Sequence, residues 1–200
     1  MTHGITWRTA GTVEKKRDAV AMRTFTCATP RSGDKYPPDF EDEVQRHFRQ
    51  RAITAANTAR DRGLDGRLRI AEDSQGIAAA FSHRRLDHTD PAESKILLDI
   101  PASHVARELC FLAVAVRHRN QNGTVADEAV IEALWDIRDQ EPAAERIWVL
   151  GRVDYRNKAS MRMLQRHSFR EVTRGEPPPK GDQRLGWWLR VLDQQPTALF

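Results

Sequence analysis

The residues best suited to holding a charged ligand follow an apolar run that ends at Val116. A basic triplet at 117–119 comes next, then a polar turn that contains Gly123, and then the apolar spacing of a helix. A helix N-terminus presents unpaired backbone N–H groups and a partial positive charge, and both suit a phosphate. Residues 113–134 are therefore predicted to be a strand, a loop and a helix start that together form an anion site.

Hydrophobic periodicity predicts the elements that position this site. Apolar residues at steps of three and four favour helices, and alternation of apolar and polar residues favours strands. The region 109–116 is apolar on both faces, which is typical of a central strand covered on two sides. The expected elements, in order, are strands 5–8 and 22–28, helix 39–62, hairpin 68–83, strand 109–116, helix 126–140, strand 147–153, a helix capped by Asn157, and strands 169–172 and 185–192. This order predicts an α/β or α+β sheet with helices on both faces.

The composition describes one globular domain of ordinary size. Two hundred residues, of which 30% are charged, can bury one sizeable core. A net charge of +4 suits an anionic ligand and does not by itself require nucleic acid. Cys27 and Cys110 lack the spacing of metal ligands, so we predict no metal, no disulfide and a cytoplasmic location. Because no apolar run reaches roughly 18 residues, we predict no membrane segment.

The chain is expected to divide into three parts. Residues 1–21 form an N-terminal arm, residues 22–192 form the domain, and residues 193–200 form a C-terminal tail. The adjacent Trp187 and Trp188 are expected on opposite faces of the last strand.

Two segments resemble the GNAT superfamily of N-acyltransferases. Residues 157–169, NKASMRMLQRHSF, match the family pattern Asn-x-x-Ser/Ala-x-x-x-Leu-x-x-x-Gly-Phe at four positions, with Ser168 in place of Gly. The segment RHRNQNGTVADEAVIEAL resembles the family's pyrophosphate loop, Gln/Arg-x-x-Gly-x-Gly/Ala. Asn120, Gly123 and Val125 fall on the three defined positions of that loop, and only Gly123 agrees strictly.

The resemblance implies a central mixed, mostly antiparallel sheet with helices on both faces, whose parallel central strand pair is splayed to hold CoA. Acetyl-CoA would lie with its pantetheine arm on the backbone of the first of these strands and its pyrophosphate on the loop amides, and Asn157 would bind the arm from the end of the neighbouring strand. The cofactor-binding residues implied are Val114, Ala115, Val116, Gln121, Asn122, Gly123, Thr124, Val125, Ala126, Asn157 and Ser160.

The resemblance also suggests where an acid and a base would stand. The family often carries a Tyr that protonates the leaving thiolate, and Leu164 occupies the matching position here. Tyr155, at the start of the same helix, is the substitute that we consider. Glu108 lies close to the position of a glutamate base in some relatives; the alternative is a strand-end carboxylate paired with Arg107 or another cation.

Three functions follow as hypotheses. The leading one is a cytoplasmic N-acetyltransferase that moves an acetyl group from acetyl-CoA to a primary amine of a small molecule or a protein by direct attack. The second is a GNAT-fold module that binds CoA or a macromolecule without turnover, suggested by the eroded glycine loop and the absent Tyr. The third is RNA binding by the basic segment 151–174. Because this segment lacks an aromatic stacking pattern, we prefer to interpret it as a solvated face or as a contact for the CoA phosphates. A homodimer through the last strand stays open, and His83, His88 and His104 are expected to be structural or solvated.

Overall fold

The computed structural model describes residues 4–11, 14–30, 32–90, 93, 100–119, 123–172 and 184–193. The strands within them are β1 (Thr6–Thr9), β2 (Arg67–Asp73), β3 (Gly76–Arg85), β4 (Val105–Val114), β5 (Arg146–Asp154), β6 (Arg170–Glu171) and β7 (Leu185–Asp193). The α-helices are α1 (Lys15–Thr24), α2 (Asp39–Gln50), α3 (Ala52–Asp61), α4 (Thr124–Gln140) and α5 (Lys158–Arg166). A short 3₁₀ helix, Val116–His118, follows β4.

The strands form one sheet in the order β1-β2-β3-β4-β5-β7-β6. Neighbouring strands are antiparallel except for β4 and β5, which run parallel in the middle of the sheet. The predicted mixed, mostly antiparallel sheet with a parallel central pair is confirmed.

Helices cover both faces of this sheet. Phe111 and Ala113 of β4 pack into the cluster that contains residues of α1, α2 and α3, and we call this side face A. Leu109 and Leu112 pack with residues of α4 and α5 on the other side, face B. Trp187 and Trp188 are buried in different clusters, so the prediction that they face opposite sides is confirmed.

The N-terminal part differs from the sequence prediction. The strand predicted at 22–28 is wrong, because α1 continues to Thr24. Few apolar residues mark α1; its place is fixed by the buried carboxylate of Asp18, which accepts hydrogen bonds from Arg8 at 2.6 Å and from the Gly11 N–H at 2.7 Å. Since β1 pairs with β2 and Met22 lies in the core, both β1 and α1 are part of the packed structure. The domain boundary at residue 22 stays a prediction.

The helix predicted at 39–62 is present as two helices. Its backbone leaves the helical conformation at Arg51, where φ is −128°. The hairpin of β2 and β3, the helix α4 and the helix capped by Asn157 lie where the periodicity predicts them.

Candidate active site

The parallel pair of β4 and β5 separates part-way along its length. Pairing runs from Val105 opposite Ile147 to Leu109 opposite Gly151 and stops there. Both strands nevertheless continue, β4 to Val114 and β5 to Asp154, each pairing only with its outer neighbour. A gap therefore opens between residues 110–114 and 152–154, as the resemblance implies for a CoA cleft.

Backbone groups of β4 face this gap at alternate residues. The N–H of Ala115 donates to Ala78 across β3 at 2.8 Å, and the N–H of Val116 donates to Thr26 at 2.9 Å. Because N–H directions alternate along a strand, those of Leu112 and Val114 point away from β3 and into the gap. The N–H groups of Ala115 and Val116 are therefore engaged within the protein, whereas those of Leu112 and Val114 face the gap. That Val114, Ala115 and Val116 bind the cofactor stays a prediction.

The N-terminus of α4 stands at the open end of β4. Gly123 precedes it with φ of +79°, a conformation that favours glycine. Asp127 donates the first intrahelical bond, to the Gly123 carbonyl, so the amides of residues 124–126 have no carbonyl one turn back inside the helix. The side chain of Val125 is buried in the core, which leaves only its backbone for a ligand. The predicted ligands Gln121 and Asn122 lie outside the described residues.

The basic triplet at 117–119 forms ion pairs that hold the loop after β4 in place. Arg117 and His118 both bind Asp73, at 2.9 Å and 2.7 Å, and Arg119 binds Glu41 at 2.6 Å. Burial raises the pKa of Asp73, but the hydrogen bonds from His118, a backbone N–H and Arg117 outweigh it and lower the pKa overall. These cations are committed to protein carboxylates, so the expectation that they supply charge to a phosphate needs correction.

Three of the arginines in the basic segment at 151–174 are also paired. Arg152 binds Glu108, Arg156 binds Asp154 and Asp39, and Arg166 binds Asp127. Arg166 also lies near the loop, since a Cβ placed on Gly123 would be 3.2 Å from its Nη2. These pairs reduce the free charge that the RNA hypothesis requires.

Asn157 and Ser160 form the N-terminal cap of α5. The Oδ1 of Asn157 accepts a hydrogen bond from the Ser160 N–H at 3.1 Å, which leaves the amide NH₂ of Asn157 as its donor group. Tyr155 follows β5 directly, and its ring covers Gly186, where a Cβ would lie 2.7 Å from the phenolic oxygen. Because Gly186 shares the face of Trp188, Tyr155 lies on face B.

Glu108 lies on face A and is 2% exposed. Its carboxylate binds Arg84 at 2.9 Å and Arg152 at 3.1 Å, so the predicted pairing with another cation is present and Arg107 is not the partner. The guanidinium of Arg152 in turn lies 5.2 Å above the ring of Trp187. Glu108 and Tyr155 thus stand on opposite faces of the sheet, one on each side of the gap.

His47 of α2 is a polar residue of this region that the sequence analysis missed. Its ring stacks on Phe111 with centroids 3.7 Å apart, and Phe111 belongs to the part of β4 that has left β5. Burial, and to a smaller extent Arg51, lowers the pKa of His47 to about 4, so the ring is uncharged at neutral pH. Its Nε2 is buried without a hydrogen-bond partner among the described residues. Only its position beside the apolar residues of α2 could have indicated it.

The other histidines have structural surroundings. His83 is buried and lies 2.7 Å from Asp136, and burial lowers its pKa. The Nδ1 of His104 accepts a hydrogen bond from Trp148 at 3.1 Å, and the Nε2 of His88 is buried. The described residues contain no cluster of His, Cys, Asp or Glu that could bind a metal ion. None of the described helices has the length and apolarity that a membrane span requires.

Comparison with known proteins supplies the context for this geometry. No protein-family model and no curated protein matches the sequence. Solved structures do match it over nearly its whole length. A Desulfovibrio desulfuricans protein assigned to the GNAT family of acetyltransferases has 14% identity and a TM-score of 0.57, covering 95% of this chain and 99% of its own. This chain has the GNAT fold.

Two further GNAT-fold structures hold a cofactor. The PaiA N-acetyltransferase of Thermoplasma acidophilum, in complex with coenzyme A, has 10% identity and a TM-score of 0.58, covering 94% of this chain and 98% of its own. The NAA60 protein of Arabidopsis thaliana, in complex with acetyl-CoA, has 15% identity and a TM-score of 0.52, with the same coverage. At these identities the likeness establishes the GNAT fold, and the chemistry rests on the residues of this chain.

Proposed function

We propose that this chain is a cytoplasmic N-acetyltransferase that moves an acetyl group from acetyl-CoA to a primary amine by direct attack, without a covalent enzyme intermediate. The observation that carries the proposal is the gap between β4 and β5 with the N-terminus of α4 at its open end. Acetyltransferases with the same fold and bound CoA support it.

The residues of the gap fit the cofactor. Val114 and Leu112 offer backbone donors to the pantetheine arm and to the thioester oxygen, and Asn157 offers its amide NH₂ from the other strand. The amides of Thr124, Val125 and Ala126 would hold the pyrophosphate after Gly123, because they lie at the positive end of the helix dipole. Gln121 and Asn122 belong to the same loop, and Ser160 lies beside Asn157. When bound, acetyl-CoA supplies the activated acetyl thioester.

Side chains on opposite faces of the sheet would carry out the two proton transfers of the reaction. The amine nitrogen forms a bond to the carbonyl carbon as the carbon–sulfur bond breaks, and the electron pair of that bond goes to sulfur. We assign the proton lost by the amine to Glu108 on face A and the proton gained by sulfur to the hydroxyl of Tyr155 on face B. His47 also lies on face A, but a pKa of about 4 makes its ring a weak base at neutral pH, so we assign no proton transfer to it.

Calorimetry with acetyl-CoA tests the cofactor assignment. We expect micromolar binding by acetyl-CoA and desulfo-CoA and much weaker binding by ADP, because the β4 backbone holds the arm. Equal affinity for ADP and acetyl-CoA, or no binding to the folded protein, would overturn the assignment.

Acetyl transfer to a panel of primary amines tests the chemistry. Glu108→Gln should lower kcat about a hundredfold if the carboxylate is the base, and Tyr155→Phe should lower it if the hydroxyl is the acid. Arg152→Gln is the matched control for Glu108, because it breaks the same ion pair and keeps the carboxylate. Equal losses in Glu108→Gln and Arg152→Gln would mean that Glu108 acts through the structure of the ion pair.

A binding module without turnover is the second candidate. Leu164 at the position of the family's Tyr and the two ion pairs of Glu108 favour it. CoA binding without transfer to any amine would support this candidate. On the side of β7 away from β5, β6 pairs with Trp188 and Leu189, so a homodimer through β7 would have to use the remaining part of that edge.

A further inference from the structure

A groove of about 620 Å³ lies on face B between β7 and the second half of α4. Its lining comes from α4, from Pro142 and His167, and from residues 190–193 of β7. Its lining residues on α4, from Ile131 to Arg138, lie about 12 to 23 Å along the helix from Gly123 at 1.5 Å per residue. The volume falls in the range of small-molecule pockets. We call it the α4–β7 groove.

Large apolar side chains of α4 stand exposed beside this groove. Trp135 is 57% exposed and Ile131 is 45% exposed. Leu134, Pro142 and Leu192 also line it. An exposed aromatic ring and branched side chain beside a groove of mixed polar and apolar lining are typical of a binding surface. A ligand body of apolar character would cover them.

Two arginines in the groove have no carboxylate partner among the described residues. Arg190 donates to the carbonyl of His167 at 2.7 Å, and Arg138 donates to the carbonyl of Ala144 at 2.7 Å. The Nη1 of Arg138 is buried without a hydrogen-bond partner. Burial lowers the pKa of Arg190, which indicates a guanidinium that has lost water without gaining an anion.

The other charged groups of the groove are already paired. Asp193 binds Arg146 at 2.7 Å, and His167 lies 2.9 Å from Asp127. The groove therefore carries two guanidinium groups that no acidic side chain of the described residues neutralises. A buried donor without a partner costs free energy that an anionic ligand would recover.

We propose that the α4–β7 groove is a binding site for a small organic anion with an apolar, ring-sized body, such as an aryl carboxylate or aryl sulfonate. Its charge meets Arg138 and Arg190, and its body lies against Trp135 and Ile131. The site is separate from the gap between β4 and β5, so it does not depend on the function proposed above.

The fluorescent aryl sulfonate 1-anilinonaphthalene-8-sulfonate is a direct probe of this site. Titration of the full chain in saturating CoA should show one saturable site. N-phenyl-1-naphthylamine, which has nearly the same rings and no sulfonate, should bind at least tenfold more weakly. Equal affinity for the two probes would overturn the anion assignment, and so would displacement of the sulfonate by CoA or an absence of binding.

Variants locate the probe. Arg138→Gln and Arg190→Gln should each weaken sulfonate binding about tenfold and leave the naphthylamine unchanged. Ile131→Glu places a carboxylate in the groove at an exposed position and should abolish sulfonate binding without unfolding the chain. Val20→Glu is the matched control, because Val20 is an apolar residue of α1 that is 61% exposed and lies outside the groove. Unchanged sulfonate binding in Ile131→Glu would overturn the proposal even if the arginine variants fail to fold.

Discussion

Gly123 is the residue on which the geometry of the cofactor loop depends most directly. Its φ of +79° costs an L-residue about 1–2 kcal/mol, and an added Cβ would press on Arg166 at 3.2 Å. We expect Gly123→Ala to lower the free energy of unfolding by that amount and to weaken acetyl-CoA binding at least tenfold, as measured by denaturant titration and calorimetry.

Gly63 offers the matched control for this prediction. It has φ of +75° at the end of α3, with open space around the position of a Cβ. Gly63→Ala should cost a similar free energy of unfolding and leave acetyl-CoA affinity unchanged. If both variants lost affinity equally, the effect would come from stability alone.

His47 should make folding stability depend on pH. Its folded-state pKa of about 4 lies below the ordinary value of 6.5, so the unfolded chain binds the proton more tightly. The contribution of uncharged His47 to the free energy of unfolding is fully present above pH 6.5. It is lost as the pH drops toward 4, by at most about 3 kcal/mol after allowance for partial exposure. His47→Phe keeps a ring against Phe111 and should remove this dependence, as followed by urea unfolding at pH 7 and pH 4.5. An unchanged pH dependence in His47→Phe would show that His83 or another group is responsible.

Single residues were predictable to different degrees. Gly123 and Asn157 lie in a motif, and the structure gives both the local geometry that the motif requires. The N–H directions of Ala115 and Val116 were not predictable, because they depend on which residue of β4 pairs with β3. His47 has no motif, since its surroundings come from Phe111, which is distant in sequence.

At the scale of elements, Asn157 at the start of α5 has both a structural role and a proposed ligand-binding role. Its Oδ1 caps the helix, and its NH₂ is proposed to bind the pantetheine arm. Asn157→Ala should cost about 1 kcal/mol of stability and also weaken acetyl-CoA binding. Asn157→Asp keeps the cap and loses the donor, so it should fold normally and still bind acetyl-CoA weakly. Wild-type affinity in Asn157→Asp, measured by calorimetry, would remove Asn157 from the binding site.

Elements with a regular apolar pattern were predictable, and those held by polar contacts were not. In β2 the buried Leu68 and Ile70 alternate with half-buried residues, and α4 buries apolar residues at helical spacing. In contrast, α1 has two buried residues, and one of them is Asp18. The break at Arg51 was also missed, because the apolar spacing continues across it.

At the scale of the whole molecule, the sheet order and the gap follow from pairing between distant segments. Periodicity indicates that β4 is central, but it does not reveal that β5 is its parallel neighbour or that their pairing ends at Gly151. Only the resemblance to GNAT proteins implied both. The β-bulge at the β3–β4 pairing, which shifts the faces of β4, has no signal in the sequence.

A buried charge network joins α4 to the sheet and thereby holds the cofactor loop in place. Asp136, which is 6% exposed, binds Arg67 of β2 at 2.9 Å and His83 of β3 at 2.7 Å. Asp136→Asn removes the anion and leaves a buried cation without its partner, so we expect a loss of about 3 kcal/mol in denaturant unfolding. Asp139→Asn, at an exposed position of the same helix, should change stability by less than about 0.5 kcal/mol.

The pH dependence of folding stability distinguishes the contribution of the Asp136 charge from the contribution of its side-chain packing. Burial raises its pKa, but the bonds from His83 and Arg67 outweigh burial and lower the pKa to about 2. Because the folded-state pKa lies below the unfolded value near 4, the contribution of Asp136 is present above pH 4 and disappears as the pH falls to 2. The difference in the free energy of unfolding between wild type and Asp136→Asn should therefore become smaller across that interval. A difference that stays constant down to pH 2 would mean that packing of the side chain, and not its charge, holds α4 to the sheet.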